Sequence, residues 1–280
     1  MHLVIQGAEI ETRDLKEIAR LSGAAAIDRL ADTAFRLRGA QPAAGIAELC
    51  AGAQLDHGFV PEGRRLGDFR LLVMDMDSTL ITMETIDELA DMVNIKAEVA
   101  AITAQAMRGE IEYNESLRRR LALLKDLDES ALQRVYDERL KFSPGAERML
   151  EQVRAAGIKT LLVSGGFTYM TDRLKPRVKL DYTHSNVLEI RNGKLTGAVV
   201  GEIVNADAKL AALLRVAAEV GASREQIAGV GDGANDLKFL AECGVSFAYR
   251  AKPVVREKTT YAINHAGLDA MLHLLSAEQN

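Results

Sequence analysis

The sequence is poor in cysteine and lacks an N-terminal leader pattern. Its 280 residues include two cysteines, Cys50 and Cys243, which lie far apart and form no Cys-x-x-Cys pair. This usage argues against a zinc site and favours a reducing, cytoplasmic environment. The N-terminal stretch MHLVIQGAEIE has neither a basic start nor a long apolar core, so we do not expect a signal peptide.

Long apolar runs and basic clusters are also missing. No apolar run approaches the roughly 20 residues that span a bilayer, so we expect no contact with a membrane. The formal net charge is −5, and Lys and Arg form no block, so nucleic acid is not an expected partner. The remaining composition, 48% apolar and 27% charged, is that of an ordinary globular protein, and the length suggests two domains.

The first predicted domain is a small α+β domain at residues 1–66. The sequence HLVIQG predicts a strand, and TRDLKEIARLSG and AAGIAELCAGAQ predict two helices. The following stretch HGFVPEGRRLGDF is rich in glycine and charge, so we interpret it as a linker. Residues 1–66 are therefore expected to contain one strand and two helices.

The second predicted domain, residues 67–280, has an α/β pattern. The apolar run RLLVMD predicts a fully buried strand, and from Ser143 onward strand and helix patterns alternate. This alternation predicts a Rossmann-like parallel sheet that is covered by helices on both faces. Residues 84–141 lie between the first two strands and have only helical patterns, so we expect an inserted helical-bundle cap there.

Acidic, hydroxyl and amide side chains follow three buried strands of this predicted sheet. The stretch LLVMDMDSTL ends its strand in Asp75 and Asp77, IKTLLV ends before Ser164, and QIAGV ends in GDGAND, which contains Asp232 and Asn235. Ligands of an open parallel sheet bind just beyond the carboxyl ends of the strands. Each motif alone is a common turn, but three of them at equivalent strand ends predict one shared site.

These motifs resemble those of the haloacid dehalogenase superfamily of phosphotransferases. That superfamily reads DxDx[TV] after the first strand, a Ser or Thr after the second, then a Lys and a GDxxxD motif. This sequence has DMDST, VSGG, Lys209 in NADAKL, and GDGAND, and the resemblance extends from Phe69 to about Leu275. The stretches DMDSTLITMETIDELA, AMRGEIEYNESLRRRLALLKDL and SGGF are similar to the phosphoserine phosphatase branch of the superfamily.

The resemblance implies Mg²⁺-dependent hydrolysis of O-phosphoserine, the last step of serine biosynthesis, through an aspartyl-phosphate intermediate. Asp75 is then the nucleophile, and Asp77 is the general acid and base. The expected Mg²⁺ ligands are the side chains of Asp75 and Asp232 and the backbone carbonyl of Asp77. Lys209 is expected to neutralise charge on the phosphoryl oxygens.

Five further residues are expected to bind the substrate. Ser164 and the Gly165 N–H group suit a phosphate at the start of the following helix, and Asn235 can orient the substrate or its phosphate. Arg120 suits the substrate carboxylate, and Glu84 suits its ammonium group. Alternatives stay open at this stage: Ser164 could cap a helix, Lys209 could be a solvated lysine, and Glu84 and Arg120 could be ordinary surface charges.

Two other functions also stay open. The first is a phosphatase or phosphotransferase of the same superfamily that acts on another small phosphomonoester, such as phosphohomoserine. The second is a non-catalytic sensor on a phosphatase scaffold, for which the N-terminal segment would be the interaction module. Bacterial phosphoserine phosphatases can carry an ACT-like N-terminal domain, and one strand with two helices falls short of its βαββαβ unit. We expect this segment to support a homodimer.

Overall fold

The computed structural model describes residues 1–277, which form two compact units. One unit contains residues 1–72, residues 143–159 and the C-terminal part of the chain from residue 217. The other contains residues 73–142 and residues 160–216. Within residues 1–277, no helix combines the length and the apolar character that crossing a membrane requires.

The N-terminal segment folds as a βαββαβ unit. Its elements are, in chain order, β1 (His2–Gln6), α1 (Thr12–Ser22), β2 (Ala26–Ala31), β3 (Ala34–Arg38), α2 (Ile46–Gly52) and β4 (Asp56–Val60). The strands pair antiparallel in the order β2-β3-β1-β4, which is the ferredoxin-like arrangement. Leu3, Ile5, Ile18, Leu37 and Ile46 belong to the core of this unit.

The expectation of one strand and two helices was therefore wrong, because it missed three of the four strands. Residues 26–38 contain three alanines, which are weak strand formers, and three arginines. Partly buried and exposed residues alternate along β2, so its sequence shows no apolar strand pattern. The linker prediction missed β4 because His57 and Gly58 lie in it. Gly58 is needed there, since a Cβ atom would come within 2.7 Å of Tyr261 and Leu274 side-chain atoms.

The larger sheet has seven strands in the order β11-β10-β9-β5-β6-β7-β8. These strands are β5 (Leu71–Met74), β6 (Lys159–Phe167), β7 (Tyr182–Arg191), β8 (Lys194–Val200), β9 (Ile227–Gly231), β10 (Val245–Tyr249) and β11 (Tyr261–Ile263). The pairs β6–β7, β9–β10 and β10–β11 are parallel, and β7–β8 is an antiparallel hairpin. Asn192 and Gly193, which connect β7 and β8, both have positive φ, as a type I′ turn requires.

The helical insertion follows β5 and confirms the predicted cap. Its helices are α3 (Thr85–Asp91), α4 (Lys96–Met107), α5 (Tyr113–Ala122) and α6 (Ser130–Arg134), which continues into a π-helical turn over Val135–Arg139. The two ends of the insertion are joined, because Ile81 and Phe142 form a β-bridge and the Thr82 N–H group donates to the Lys141 carbonyl at 2.9 Å. The insertion therefore leaves and re-enters the α/β core at one place.

The remaining helices follow the strands as the alternating pattern predicts. They are α7 (Ala146–Ala155), α8 (Thr168–Arg177), α9 (Ala206–Val220), α10 (Leu237–Ala241), α11 (Pro253–Arg256) and α12 (Met271–Leu275). The α/β fold class with an inserted helical cap and a small N-terminal α+β part is thus confirmed. The domain boundary between residues 66 and 67 stays a prediction.

Candidate active site

Strand β5 places Asp75 at its carboxyl end. All four residues of the strand are buried, which explains its uninterrupted apolar sequence. The π-helical turn Met76–Leu80 follows at once; within it Asp77 keeps an extended backbone, and Ser78 adopts a left-handed φ of 57°. The chain therefore leaves the sheet directly after presenting both carboxylates.

Lys209 and Asp75 form a buried ion pair. The Lys209 Nζ atom donates to Asp75 Oδ1 at 2.7 Å, and the two residues are 0% and 6% exposed. Lys209 lies in the first turns of α9, whose N-terminus is capped by the Asn205 side chain. The alternative of a solvated lysine is wrong, because Lys209 is buried. A buried ammonium group requires a nearby negative charge, which Asp75 supplies.

Thr85, the first residue of α3, holds the carboxyl group of Asp77. Its hydroxyl donates to Asp77 Oδ1 at 2.8 Å, and its N–H group donates to Oδ2 at 3.3 Å. Burial and the charge of Glu84 raise the pKa of Asp77 to about 8, against the lowering effects of Thr85 and Lys209. A carboxyl group with this pKa is protonated at neutral pH and can act as a general acid.

Ser78 joins the same turn to the start of the cap. Its hydroxyl donates to Glu84 Oε1 at 2.7 Å, and its N–H group donates to the Met83 carbonyl at 3.2 Å. Glu84 is exposed, and Arg120 on α5 is partly buried. Both predicted recognition charges thus lie on the cap insertion, and their roles stay predictions.

Ser164, Gly165 and Gly166 lie at the irregular end of β6, where its pairing with β7 shifts register, and form a segment suited to hold an anion, which we call the anion loop. Ser164 is 1% exposed, and its Oγ atom accepts the Gly166 N–H group at 2.9 Å. A Cβ atom at Gly166 would lie 3.2 Å from Asp77 Oδ2, and one at Gly165 would collide with the Tyr113 hydroxyl group. Both glycines therefore let the backbone lie directly beside active-site side chains. Ser164 does not cap α8, whose N-cap residue is Phe167.

Asn186 on β7 fixes this loop, and the sequence reasoning missed it. Its side-chain NH₂ group donates to the Gly165 carbonyl at 2.8 Å, and its Oδ1 atom accepts the Val204 N–H group at 2.8 Å. Asn186 is 1% exposed. A polar amide inside the strand pattern HSNVLEI is the signal that could have identified Asn186. Thr85 was also missed, and its position beside Glu84 at the start of a cap helix is the signal that could have identified it.

Three carboxylates form a cluster that fits a divalent cation. One oxygen from each of Asp75, Asp232 and Asp236 lies within 4.8 Å of the other two. Carboxylate oxygens are the ligands that Mg²⁺ accepts. The sequence predicted the first two residues, and the structure adds Asp236, which also accepts the Gly233 N–H group at 2.9 Å.

The other two residues predicted near this cluster have different surroundings. The Asp77 carboxyl group is bound to Thr85, and a ligand role for its backbone carbonyl stays a prediction. Asn235 lies in the turn after β9, where its side chain occupies the space that a Cβ atom on Gly233 would need. Its role in orienting substrate also stays a prediction.

Comparison with known proteins agrees with this geometry. The family model described as haloacid dehalogenase-like hydrolase matches residues 72–241, and a model described as a domain of unknown function matches residues 3–46. A phosphoserine phosphatase from Polaromonas sp. strain JS666 is 50% identical over 216 residues, which are 75% of this chain and 92% of that protein.

Two crystal structures match nearly the whole chain. A HAD family hydrolase from Salmonella enterica serovar Typhi has a TM-score of 0.89 at 34% identity and covers 99% of this chain and 98% of its own. A probable phosphoserine phosphatase from Vibrio cholerae has a TM-score of 0.86 at 35% identity and covers 99% of this chain and 86% of its own. The N-terminal βαββαβ unit is therefore included in the shared architecture.

Proposed function

Since the chain belongs to the haloacid dehalogenase-like hydrolases, we propose that it hydrolyses O-phosphoserine to serine and phosphate. The observation that carries the proposal is the pairing of two differently held carboxyl groups. Asp75 is ion-paired with buried Lys209, whereas Asp77 is bound to Thr85 and has a pKa raised to about 8. Two neighbouring carboxyl groups with separate protonation states are suited to nucleophilic and general acid roles.

The two carboxyl groups divide the chemistry. The ionised Asp75 carboxylate attacks phosphorus and forms the O–P bond of an aspartyl-phosphate, while the bond between phosphorus and the serine oxygen breaks. Protonated Asp77 transfers its proton to that leaving oxygen. Asp77 then accepts a proton from a water molecule, whose oxygen attacks phosphorus, releases phosphate and regenerates Asp75. Lys209 and the Ser164 loop bind phosphoryl oxygens during both steps.

Mg²⁺ is the proposed cofactor, because the carboxylates of Asp75, Asp232 and Asp236 fit a small cation that prefers oxygen ligands. When bound, the ion supplies positive charge that offsets the charge of the phosphate dianion. We expect phosphatase activity to disappear with a chelator and to return when Mg²⁺ is added. Removing the Asp232 carboxylate should raise the Mg²⁺ concentration that half-maximal activity requires. An unchanged metal titration would contradict its ligand role.

Glu84 and Arg120 are proposed to recognise the amino-acid part of the substrate. Arg120→Ala and Glu84→Gln should each lower kcat/KM for phosphoserine about 30-fold or more, since truncating one partner of a charge pair that substrate binding would bury costs roughly 2–5 kcal/mol. Activity on phenyl phosphate, which has neither charge, should change little. Arg119→Ala is the matched control, because Arg119 is exposed on the same helix and pairs with Glu115. Equal loss on both substrates would assign the two residues to folding or cap closure.

Phosphate release from a panel of phosphomonoesters tests the function itself. We expect phosphoserine to have the highest kcat/KM in the presence of Mg²⁺, and Asp75→Asn to have no measurable turnover. A clear preference for phosphohomoserine would replace the substrate assignment. Absence of turnover on every ester would support the non-catalytic sensor.

We further propose that the reaction takes place in the cytoplasm as the last step of serine biosynthesis. The two unpaired, buried cysteines are compatible with a reducing compartment. The sequence-based division into residues 1–66 and 67–280 is kept, with homodimerisation through the N-terminal sheet. Strand β2 is an edge of that sheet, and its Ile27 is 42% exposed. Ile27→Lys should weaken self-association in sedimentation velocity, and an unchanged distribution would contradict this surface.

A further inference from the structure

Tyr113 brings a hydroxyl group from the cap to the anion loop. It is the first residue of α5, and its hydroxyl oxygen occupies the space that a Cβ atom on Gly165 would take. The ring carbon that carries the hydroxyl would lie 3.4 Å from that Cβ position. The oxygen, rather than the ring face, therefore contacts the backbone one residue after Ser164.

The surroundings of this hydroxyl group are those of the reacting centre. Lys209 and Arg120 act on it with positive charge, and Asp75 and Asp77 act on it with negative charge. Lys209, which binds Asp75, has the larger effect of the two cations. Burial raises the pKa of Tyr113, so the group stays protonated at neutral pH and can donate a hydrogen bond.

We propose that the Tyr113 hydroxyl group donates a hydrogen bond to a non-bridging phosphoryl oxygen of the substrate. The Ser164–Gly165 loop would bind the phosphoryl group from the end of β6, and Tyr113 would complete the set of donors from the cap. The inference rests on the proposed function for the identity of the ester, but it requires only a phosphoryl group. It also gives the cap a direct part in transition-state binding, in addition to substrate selection.

Tyr113→Phe is the direct test, because it removes one oxygen and keeps the ring. We expect kcat/KM to fall about 10- to 100-fold for both phosphoserine and phenyl phosphate, as for the loss of one donor to a charged oxygen. The inhibition constant of orthovanadate should rise in the same range. Tyr136→Phe is the matched control, since Tyr136 is also a partly buried cap tyrosine, and its hydroxyl group interacts with Arg177.

A loss confined to phosphoserine, with unchanged orthovanadate inhibition, would overturn the proposal and assign the hydroxyl group to the substrate carboxylate. Unchanged kinetics on both esters would also overturn it. If wild-type protein hydrolyses phenyl phosphate but not phosphoserine, the proposed substrate fails, while phenyl phosphate and orthovanadate still decide the role of Tyr113.

Gly165→Ala tests the same contact without altering the tyrosine. Its Cβ atom should displace the hydroxyl group and lower kcat/KM for phenyl phosphate. In the Tyr113→Phe background the nearest atom of residue 113 is the ring carbon that lies 3.4 Å from the new Cβ atom, an ordinary contact distance. Gly165→Ala should therefore lower kcat/KM much less in that background. Fully additive losses in this double-mutant cycle would show that the two groups do not interact and would overturn the proposal.

Discussion

Replacing Lys209 with methionine should leave a buried carboxylate without its nearest cation. The substitution keeps an unbranched side chain of similar length and removes only the charged group. In the wild-type protein Lys209 Nζ lies 2.7 Å from Asp75 Oδ1, and Asp75 belongs to a cluster of three carboxylates. In the absence of metal, the variant must therefore keep three neighbouring negative charges together without this cation.

The magnitude follows from the geometry. At 2.7 Å and an effective dielectric constant of about 20, the direct attraction between two unit charges is about 6 kcal/mol. Part of it is offset by water entry and relaxation, and removing one partner of a buried pair typically costs roughly 3–5 kcal/mol. We expect Lys209→Met to lower the free energy of unfolding by that amount in a chelator. Added Mg²⁺ should restore part of the loss.

Urea unfolding of wild type and variants, with chelator and with Mg²⁺, measures this effect. Adding Asp75→Asn to Lys209→Met should recover most of the stability, because it removes the uncompensated charge. Lys175→Met is the control, since Lys175 is exposed on α8 and should change the unfolding free energy by less than about 0.5 kcal/mol. A loss below about 1 kcal/mol for Lys209→Met in chelator would refute the ion pair as a stabilising contact.

Three further predictions concern groups that hold the site or the N-terminal unit. Thr85→Val removes a hydrogen bond that lowers the pKa of Asp77. We expect kcat to fall about 10-fold and the basic limb of its pH profile to move to higher pH. The control Thr103→Val should leave the profile unchanged, and an unchanged profile for Thr85→Val would contradict this role of Thr85. Asn186→Ala deprives the partly buried Gly165 carbonyl and the buried Val204 N–H group of their partner and should lower the unfolding free energy by about 1–3 kcal/mol. A neutral result in urea unfolding would contradict the stabilising role of Asn186. Burial lowers the pKa of His273 below its ordinary value of 6.5, so the unfolded chain binds the proton first and stability should fall as pH drops below about 6.5. His273→Gln should flatten that dependence, and equal slopes for both proteins between about pH 5 and 7 would rule out this contribution.

The positions of the proposed reacting groups were predictable because each follows a local pattern. A short uninterrupted apolar run bounded by turn residues predicts a buried strand, and the polar residue that ends it is then expected at the edge of the sheet. Asp75, Ser164 and Asp232 each follow such a run, so the sequence alone predicts their place at the sheet edge. The Asn192–Gly193 turn was equally local, since both residues readily adopt positive φ. Strands β2 and β3 were not predictable in this way, because their alanines and arginines become partly buried only when β2 pairs with β3 and β3 pairs with β1.

What the sequence determined by itself was therefore the set of strands that end in chemical groups, and with it the class of reaction. Only the tertiary structure decided how those groups are held. Lys209 binds Asp75, which is 134 residues away in the sequence, and Asn186 binds the Gly165 carbonyl, which is 21 residues away. Tyr113 contacts the same glycine from the cap. Such contacts have no periodicity along the chain, because they arise from the packing of elements whose own patterns specify only helix, strand and burial. The protonation states and the donors around the proposed phosphoryl site follow from that packing.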